Sequence, residues 1–93
     1  MYDEKEISYA SIIFAALSNP TRLKILSIIS KAKKPLHIKA IAKILKMDYA
    51  AIYRHINVLK KANLLQISEV DRSGVLSPLH VEVVKQLIQQ EMQ

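Results

Sequence analysis

Seven side chains between residues 49 and 61 have the types and spacing to bond nucleic acid. At about 100° per residue they share one helical face. They are Tyr49, Ala50, Tyr53, Arg54, Asn57, Lys60 and Lys61. Arginine bonds guanine, asparagine bonds adenine and alanine contacts the thymine methyl group in the major groove, whereas lysines near a helix end suit phosphates. No acidic residue occurs in this segment. The pattern therefore favours a nucleic-acid contact over an amphipathic helix whose polar face meets only water.

The net charge of the 93-residue chain is +6, and it is concentrated around this segment. Residues 31–61 contain nine lysines and arginines and one acid, a net charge of +8. Residues 1–30 are neutral and residues 62–93 carry −2. Such a concentration is expected for a protein that binds a polyanion. The alternative is a lysine-rich solvated surface of the kind found in thermophiles.

The segment itself is predicted as a helix over residues 49–62. Ile52, Ile56 and Leu59 cluster on the face opposite the polar one, and Asp48 is the expected N-cap. The preceding helix, over residues 37–45, has apolar residues at i, i+3, i+4 and i+7, and only three residues separate the two helices. This arrangement predicts a helix-turn-helix.

Capping residues, prolines and the single glycine predict the bounds of the other elements. Helices are predicted over residues 7–17 and 20–30, the second capped by Asn19 with Pro20 at its first position. Residues 35–36 are expected to be extended. Residues 64–70 and 75–76 are predicted to form a hairpin, with Gly74 supplying a positive φ in the turn. Ser77–Pro78 predicts the start of a last helix, which ends near residue 91. The fold class is therefore mainly α with a small β-hairpin wing, one winged helix-turn-helix domain over residues 1–93.

Composition argues against several other functions. The chain has no cysteine, so disulfides and thiolate metal sites are excluded. With one glycine, it lacks phosphate-cradling loops. No nucleophile, base and orienting group occur in a recognisable set, so an enzyme is not expected. His80 lacks enough companions for a zinc site, and His55 is expected to be a packed histidine that bonds nearby backbone. We expect no metal and no cofactor.

The first and last predicted helices indicate a homodimer. The first is apolar on nearly every face, and a chain this small has little to cover it with. The last presents an apolar stripe. Packing of both across a two-fold axis would place two recognition helices in successive major grooves of a roughly palindromic site. The expected interface residues are Ile7, Ala10, Ile13, Phe14, Leu17, Val81, Val84, Leu87 and Ile88. The alternative is that both helices close the core of a monomer.

Two segments resemble ArsR-like winged-helix regulators. The first is ALSNPTRLKIL at residues 16–26, and the second runs from Ile41 through Arg54-His55-Ile56 to Leu64. The resemblance covers about residues 14–90. It implies a dimeric transcription regulator that usually represses by occupying operator DNA. It also implies that residues 49–57 read the major groove and that the hairpin wing lies near the backbone or minor groove. The full set of expected DNA contacts is His37, Lys39, Tyr49, Ala50, Tyr53, Arg54, Asn57, Lys60, Lys61, Arg72 and Ser73.

The chain departs from that family in three ways. The third helix has no metal-binding cysteines, and Asn63 replaces the usual glycine after the recognition helix, a position that asparagine tolerates. The wing has Arg72 as its one positive charge, balanced by Asp71.

The sequence thus predicts a transcription regulator that binds specific sequences of double-stranded DNA. The residues do not identify a small-molecule or metal effector. An acidic first segment and the lack of a long apolar stretch predict a cytoplasmic, nucleoid-associated protein without a membrane partner. Two alternatives stay open. One is an architectural DNA-binding protein without sequence preference, and the other is a winged-helix module that binds protein.

Overall fold

The computed structural model describes residues 2–70 and 73–92, and it has the predicted order of elements. Five helices and a three-stranded antiparallel sheet form a winged helix-turn-helix, which confirms the predicted fold class. The helices are α1 (Glu4–Leu17), α2 (Pro20–Lys31), α3 (Ile38–Leu45), α4 (Tyr49–Lys61) and α5 (Val81–Met92). The strands are β1 (Leu36–His37), β2 (Leu65–Val70) and β3 (Ser73–Pro78).

Local capping determines where the first two helices begin. The Asp3 carboxylate accepts a hydrogen bond from the Glu6 backbone at 2.8 Å, and the Glu6 carboxylate accepts one from the Asp3 backbone at 3.2 Å. This reciprocal capping box starts α1 at Glu4, three residues earlier than predicted. The predicted cap of α2 is confirmed, because the Asn19 side chain accepts a hydrogen bond from the Arg22 backbone at 3.1 Å.

The single glycine serves a purpose other than the predicted one. Gly74 does not have a positive φ, so the expected turn role is wrong. It lies in β3 opposite Glu69. A Cβ atom at this position would lie 2.8 Å from Cδ1 of Ile38, at the start of α3. Gly74 therefore allows the hairpin to approach α3 closely.

The last helix begins later than the sequence indicated. Ser77 and Pro78 do not start a helix; they extend β3 and pair with Gln66 and Leu65 of β2. Proline is tolerated there because β1 pairs only with Val75 and Leu76, so β3 has a neighbouring strand on one side only at Pro78. After it, His80 adopts a left-handed conformation with φ 55°, and α5 starts at Val81.

The core lies between α2, α3, α4 and the sheet. Its fully buried large side chains are Ile25, Ile41, Ile52, Ile56, Leu59, Leu65 and Leu76. Of the described side chains, α1 contributes only Ala16 to the buried set, and α5 contributes none. The two terminal helices thus lie at the edge of the packed unit.

Within the described residues, no single helix has the length and hydropathy needed to cross a membrane. The pair α1 and α2 meets that test when taken together, but the two helices are bent by 84° at the break between them.

Candidate nucleic-acid interface

The position of α4 is set by its buried face. Ile52, Ile56 and Leu59 are completely buried in the core, as their spacing predicted. The turn from α3 is tight because Lys46 is left-handed, with φ 54°, and the Met47 backbone donates to the Ala42 carbonyl at 3.0 Å. These contacts hold α4 with its polar face outward.

The outward face of α4 brings together most of the predicted reading residues. Tyr49 and Tyr53, one turn apart, stack with ring centroids 6.1 Å apart and an angle of 21° between the planes. Ala50 and Arg54 are exposed beside them, whereas Asn57 is half-buried. The stacked tyrosines thus lie next to Arg54 on the exposed face. Side chains of these types can bond base edges or the sugar-phosphate backbone.

Positive side chains lie at both helices of the helix-turn-helix. Lys60 and Lys61 are exposed in the last turn of α4, and Lys39 is exposed in the first turn of α3. His37 is exposed at the N-cap position of α3, where its ring makes no capping hydrogen bond. These groups are free to meet phosphates.

Asp48 occupies the predicted N-cap position of α4 without acting as a side-chain cap. Its carbonyl accepts the first helical hydrogen bond, from the Ile52 backbone at 3.0 Å, but its carboxylate makes no capping bond. The N-cap assignment is therefore right for the backbone and wrong for the side chain.

Two of the expected DNA contacts, Arg72 and Ser73, belong to the wing. Arg72 lies outside the described residues. Ser73 is the first residue of β3 and pairs with Val70, but its side chain lies outside the described ones.

His55 has a partner that the sequence did not reveal. The ring is half-buried on α4, and its Nδ1 lies 3.2 Å from Nη1 of Arg22 on α2. The prediction of a backbone partner for His55 is therefore wrong. Burial, reinforced by the positive charges of Arg22 and Arg54, lowers the pKa of His55 from its ordinary value of 6.5. The ring is thus kept neutral at pH 7.

Arg22 also donates two hydrogen bonds to α1. Its Nε donates to the Ala16 carbonyl at 2.7 Å, and its Nη2 donates to the Ala15 carbonyl at 3.0 Å. A single guanidinium therefore connects the last turn of α1, the first turn of α2 and the middle of α4. The only sequence signal for this connecting role of Arg22 was its place in the segment that resembles ArsR-like regulators.

The end of α4 is also tied to α1. Asn63 adopts the predicted left-handed conformation, with φ 57°, and ends the helix. Its side-chain amide donates to the hydroxyl group of Tyr9 on α1.

The exposed large apolar side chains of the terminal helices α1 and α5 form what we call the α1/α5 surface. A groove between the helices is lined by Tyr9, Phe14, Val83 and Leu87, among others. Of the expected interface residues, Ile7, Phe14, Leu87 and Ile88 are exposed. Ala10, Ile13, Leu17 and Val84 are half-buried, and the Val81 side chain lies outside the described ones. Tyr9, Ile12, Val83 and Met92 are also exposed, although they were not among the expected residues.

The described part of the chain has no cluster of metal-ligating side chains. Within residues 2–70 and 73–92, no three His, Asp or Glu side chains come together in a way that could hold an ion.

An exposed second helix of a helix-turn-helix, followed by a β-hairpin, defines a winged helix-turn-helix DNA-binding domain. The family of bacterial regulatory proteins called the arsR family matches residues 19–66, more than half of the chain. The chain belongs to this family of DNA-binding transcription regulators, which are not enzymes. Among proteins with curated functions, none matches the chain.

Solved structures share the fold over nearly the whole chain. An ArsR-like transcriptional regulator from Rhodococcus sp. RHA1 is 25% identical, with a TM-score of 0.75, over 98% of this chain and 82% of that one. NolR from Sinorhizobium fredii is 24% identical, with a TM-score of 0.77, over 99% and 92%.

A third similar structure is the winged helix-turn-helix DNA-binding domain of Mb0332 from Mycobacterium bovis, described as homodimeric. It is 18% identical, with a TM-score of 0.80, over 99% of this chain and 85% of that fragment.

Proposed function

We propose that this regulator represses transcription by binding a specific operator as a homodimer, with α4 of each subunit in the major groove. The observation that carries the proposal is the outward face of α4. It presents Arg54 and the Tyr49–Tyr53 stack from a helix whose other side is locked in the core. A rigid support is what base readout requires, because hydrogen bonds to base edges tolerate little displacement.

The contacts divide into reading and positioning groups. We assign Tyr49, Ala50, Tyr53, Arg54 and Asn57 to base edges and sugars. Of these, Asn57 is half-buried and Arg54 is exposed. The phosphate contacts come from His37, Lys39, Lys60 and Lys61, and the wing adds Arg72 and Ser73 near the backbone.

The homodimer is supported by the α1/α5 surface. Among the described residues, eight of the fourteen large hydrophobic side chains that are exposed belong to these two helices. Four of them, Tyr9, Phe14, Val83 and Leu87, line one groove between the helices, and exposed apolar patches mark interaction sites. The homodimeric state of the Mycobacterium bovis domain is consistent with this assignment.

A dimer of this kind has a two-fold axis, and its operator mirrors that symmetry. The two copies of α4 would enter successive major grooves about 34 Å apart, so the operator is roughly palindromic. Residues 1–93 then act as one winged-helix domain with dimerising terminal helices, in the cytoplasm at the nucleoid.

The experiment that tests this function is selection of bound DNA from a random pool with the purified protein. A palindromic consensus supports the proposal. Enrichment without a consensus would indicate an architectural DNA-binding protein, and no salt-dependent DNA binding would indicate a protein-interaction module.

Variants then separate reading from positioning. Arg54→Ala is expected to reduce the ratio of operator to random-DNA affinity by about tenfold to a hundredfold, as for a lost bidentate base contact. Lys60→Ala is expected to weaken both DNAs alike and to lower the salt slope by about one. Lys85→Ala on α5 removes the same charge away from α4 and is the control. Equal effects of Arg54→Ala on both DNAs would contradict base readout by this helix.

A further inference from the structure

The recognition helix α4 is attached to α1 at two points. In the middle of α4, the Arg22 guanidinium contacts Nδ1 of His55 at 3.2 Å while it donates to the carbonyls of Ala15 and Ala16. At the end of α4, the Asn63 amide donates to the Tyr9 hydroxyl group. Arg22, in the first turn of α2, thus links two helices that are distant in sequence.

The chemistry of the first attachment restricts the state of His55. A guanidinium has five N–H donors and no acceptor. It forms a hydrogen bond with an imidazole only if the ring nitrogen that faces it is unprotonated. Nδ1 of His55 must therefore be the acceptor, and the ring must be neutral with its proton on Nε2.

Protonation would reverse this contact. An imidazolium carries a proton on both nitrogens, so Nδ1–H would point at the Arg22 donors, and two positive charges would meet at hydrogen-bonding distance. The charged groups acting on the ring are Arg22 from α2 and Arg54 from α4, and both oppose protonation. On the α1 side, the partners of Arg22 are backbone carbonyls, which do not titrate.

We propose that Arg22 and neutral His55 are positioning residues that hold the recognition helix in register with α1, and that acid pH releases this attachment. The inference rests on the proposed function for its consequence. If α1 belongs to the dimer interface, the attachment transmits the dimer geometry to the two reading helices. Its release then disturbs operator binding, which needs both copies of α4 in register, more than binding to random DNA.

The direction of the pH effect distinguishes this role from a simple DNA contact. A histidine that merely faced phosphates would gain a positive charge in acid and bind DNA more tightly. Here, operator affinity is expected to fall as the pH decreases through the folded-state pKa of His55, which is lowered from its ordinary value of 6.5.

The test compares operator and random-DNA affinity at pH 7.5 and pH 5 for the wild-type chain, His55→Asn and His55→Ala. The Oδ1 atom of asparagine stands close to where Nδ1 was and accepts a hydrogen bond at any pH. We expect the wild type to lose about tenfold in operator-to-random ratio in acid. His55→Asn is expected to keep its ratio, and His55→Ala to show the reduced ratio at both pH values.

His80→Asn is the matched control, because His80 is exposed, lies outside the expected DNA contacts, and has a left-handed φ of 55° that asparagine tolerates. It should keep the wild-type pH dependence of the operator-to-random ratio. If His55→Asn shows the same acid loss as the wild type, or if His80→Asn abolishes that loss, the positioning role of His55 is wrong.

A second measurement needs no DNA. The ring ¹⁵N shifts of His55 report its tautomer, and the amide signals of residues 15–18 report the last turn of α1. We expect the Nε2–H form at pH 7.5, with those α1 amides shifting as His55 titrates. An Nδ1–H form, or titration of His55 without a response in α1, overturns the attachment. If no operator is found, the proposed function is refuted. The NMR measurement then tests the attachment of α4 to α1 by itself.

Discussion

Truncation of Phe14 should separate the dimer from the monomer fold. Phe14 lies on α1 and is 63% exposed in the isolated chain. Its replacement by alanine removes little of the monomer's own packing. A covering partner subunit, by contrast, would lose a large apolar contact. The variant is therefore expected to fold normally and to dimerise poorly.

The size of the effect follows from the exposed area. A phenylalanine buries about 200 Å² when covered, so the 63% that is exposed corresponds to about 125 Å² available to a partner. At about 25 cal/mol per Å² this is about 3 kcal/mol per subunit and about 6 kcal/mol per dimer, an upper bound near four orders of magnitude in the dissociation constant. Alanine keeps part of this area, and a partner subunit covers the Phe14 side chain incompletely. We therefore expect the dimer dissociation constant to increase by at least about a hundredfold.

Sedimentation equilibrium over a concentration series measures this constant directly. The matched control is Ile44→Ala, because Ile44 on α3 is also more than half exposed and lies outside the α1/α5 surface. It should leave the dimer unchanged. A wild-type protein that is monomeric at micromolar concentration would refute the reasoning, as would a dimer equally tight in Phe14→Ala and wild type.

Three further predictions concern the monomer fold. Ile56→Ala should destabilise it by about 2–5 kcal/mol because Ile56 is completely buried, whereas Val58→Ala on the exposed side of α4 should change little; urea unfolding measures both. Gly74→Ala should destabilise by about 1–3 kcal/mol, because its Cβ would lie 2.8 Å from Cδ1 of Ile38, and Ile38→Val should recover part of that loss in a double-mutant cycle. A cycle with no coupling would contradict the contact. Since the pKa of His55 is lowered in the folded state, the unfolded chain binds more protons below about pH 6.5. The contribution of His55 to stability should therefore be complete above that pH and lost as the pH falls through the folded pKa; urea unfolding of His55→Asn should lack this component, and an identical pH profile would exclude it.

The helix-turn-helix was predictable because its signals are local. The buried positions of α4 follow from the 3.6-residue period, and the start of α2 follows from Asn19–Pro20, in which a cap and a proline favour the same boundary. The capping box at Asp3 was a local signal too, and reading it would have placed the start of α1 correctly. The candidate reading face of α4 needed only helix geometry and side-chain chemistry.

The errors at Ser77–Pro78, Gly74 and His55 have one physical source, which is contact between residues distant in sequence. Ser77–Pro78 favours a helix start when taken alone, but pairing with Gln66 and Leu65 across the hairpin stabilises an extended strand there. Gly74 suits a turn locally, yet its role is decided by Ile38, which lies 36 residues earlier and comes close only after folding. The partner of His55 is likewise a residue 33 positions away.

By itself, the sequence determined the helical segments of the reading module, its +8 charge and the chemistry that its outward face offers to DNA. These properties depend on interactions within a few residues or on composition. The tertiary structure alone decided which side chains connect that module to α1, why the wing needs its glycine, and how much of the terminal helices stays exposed. Those outcomes depend on which distant segments pack together, and no local pattern encodes the distance between them.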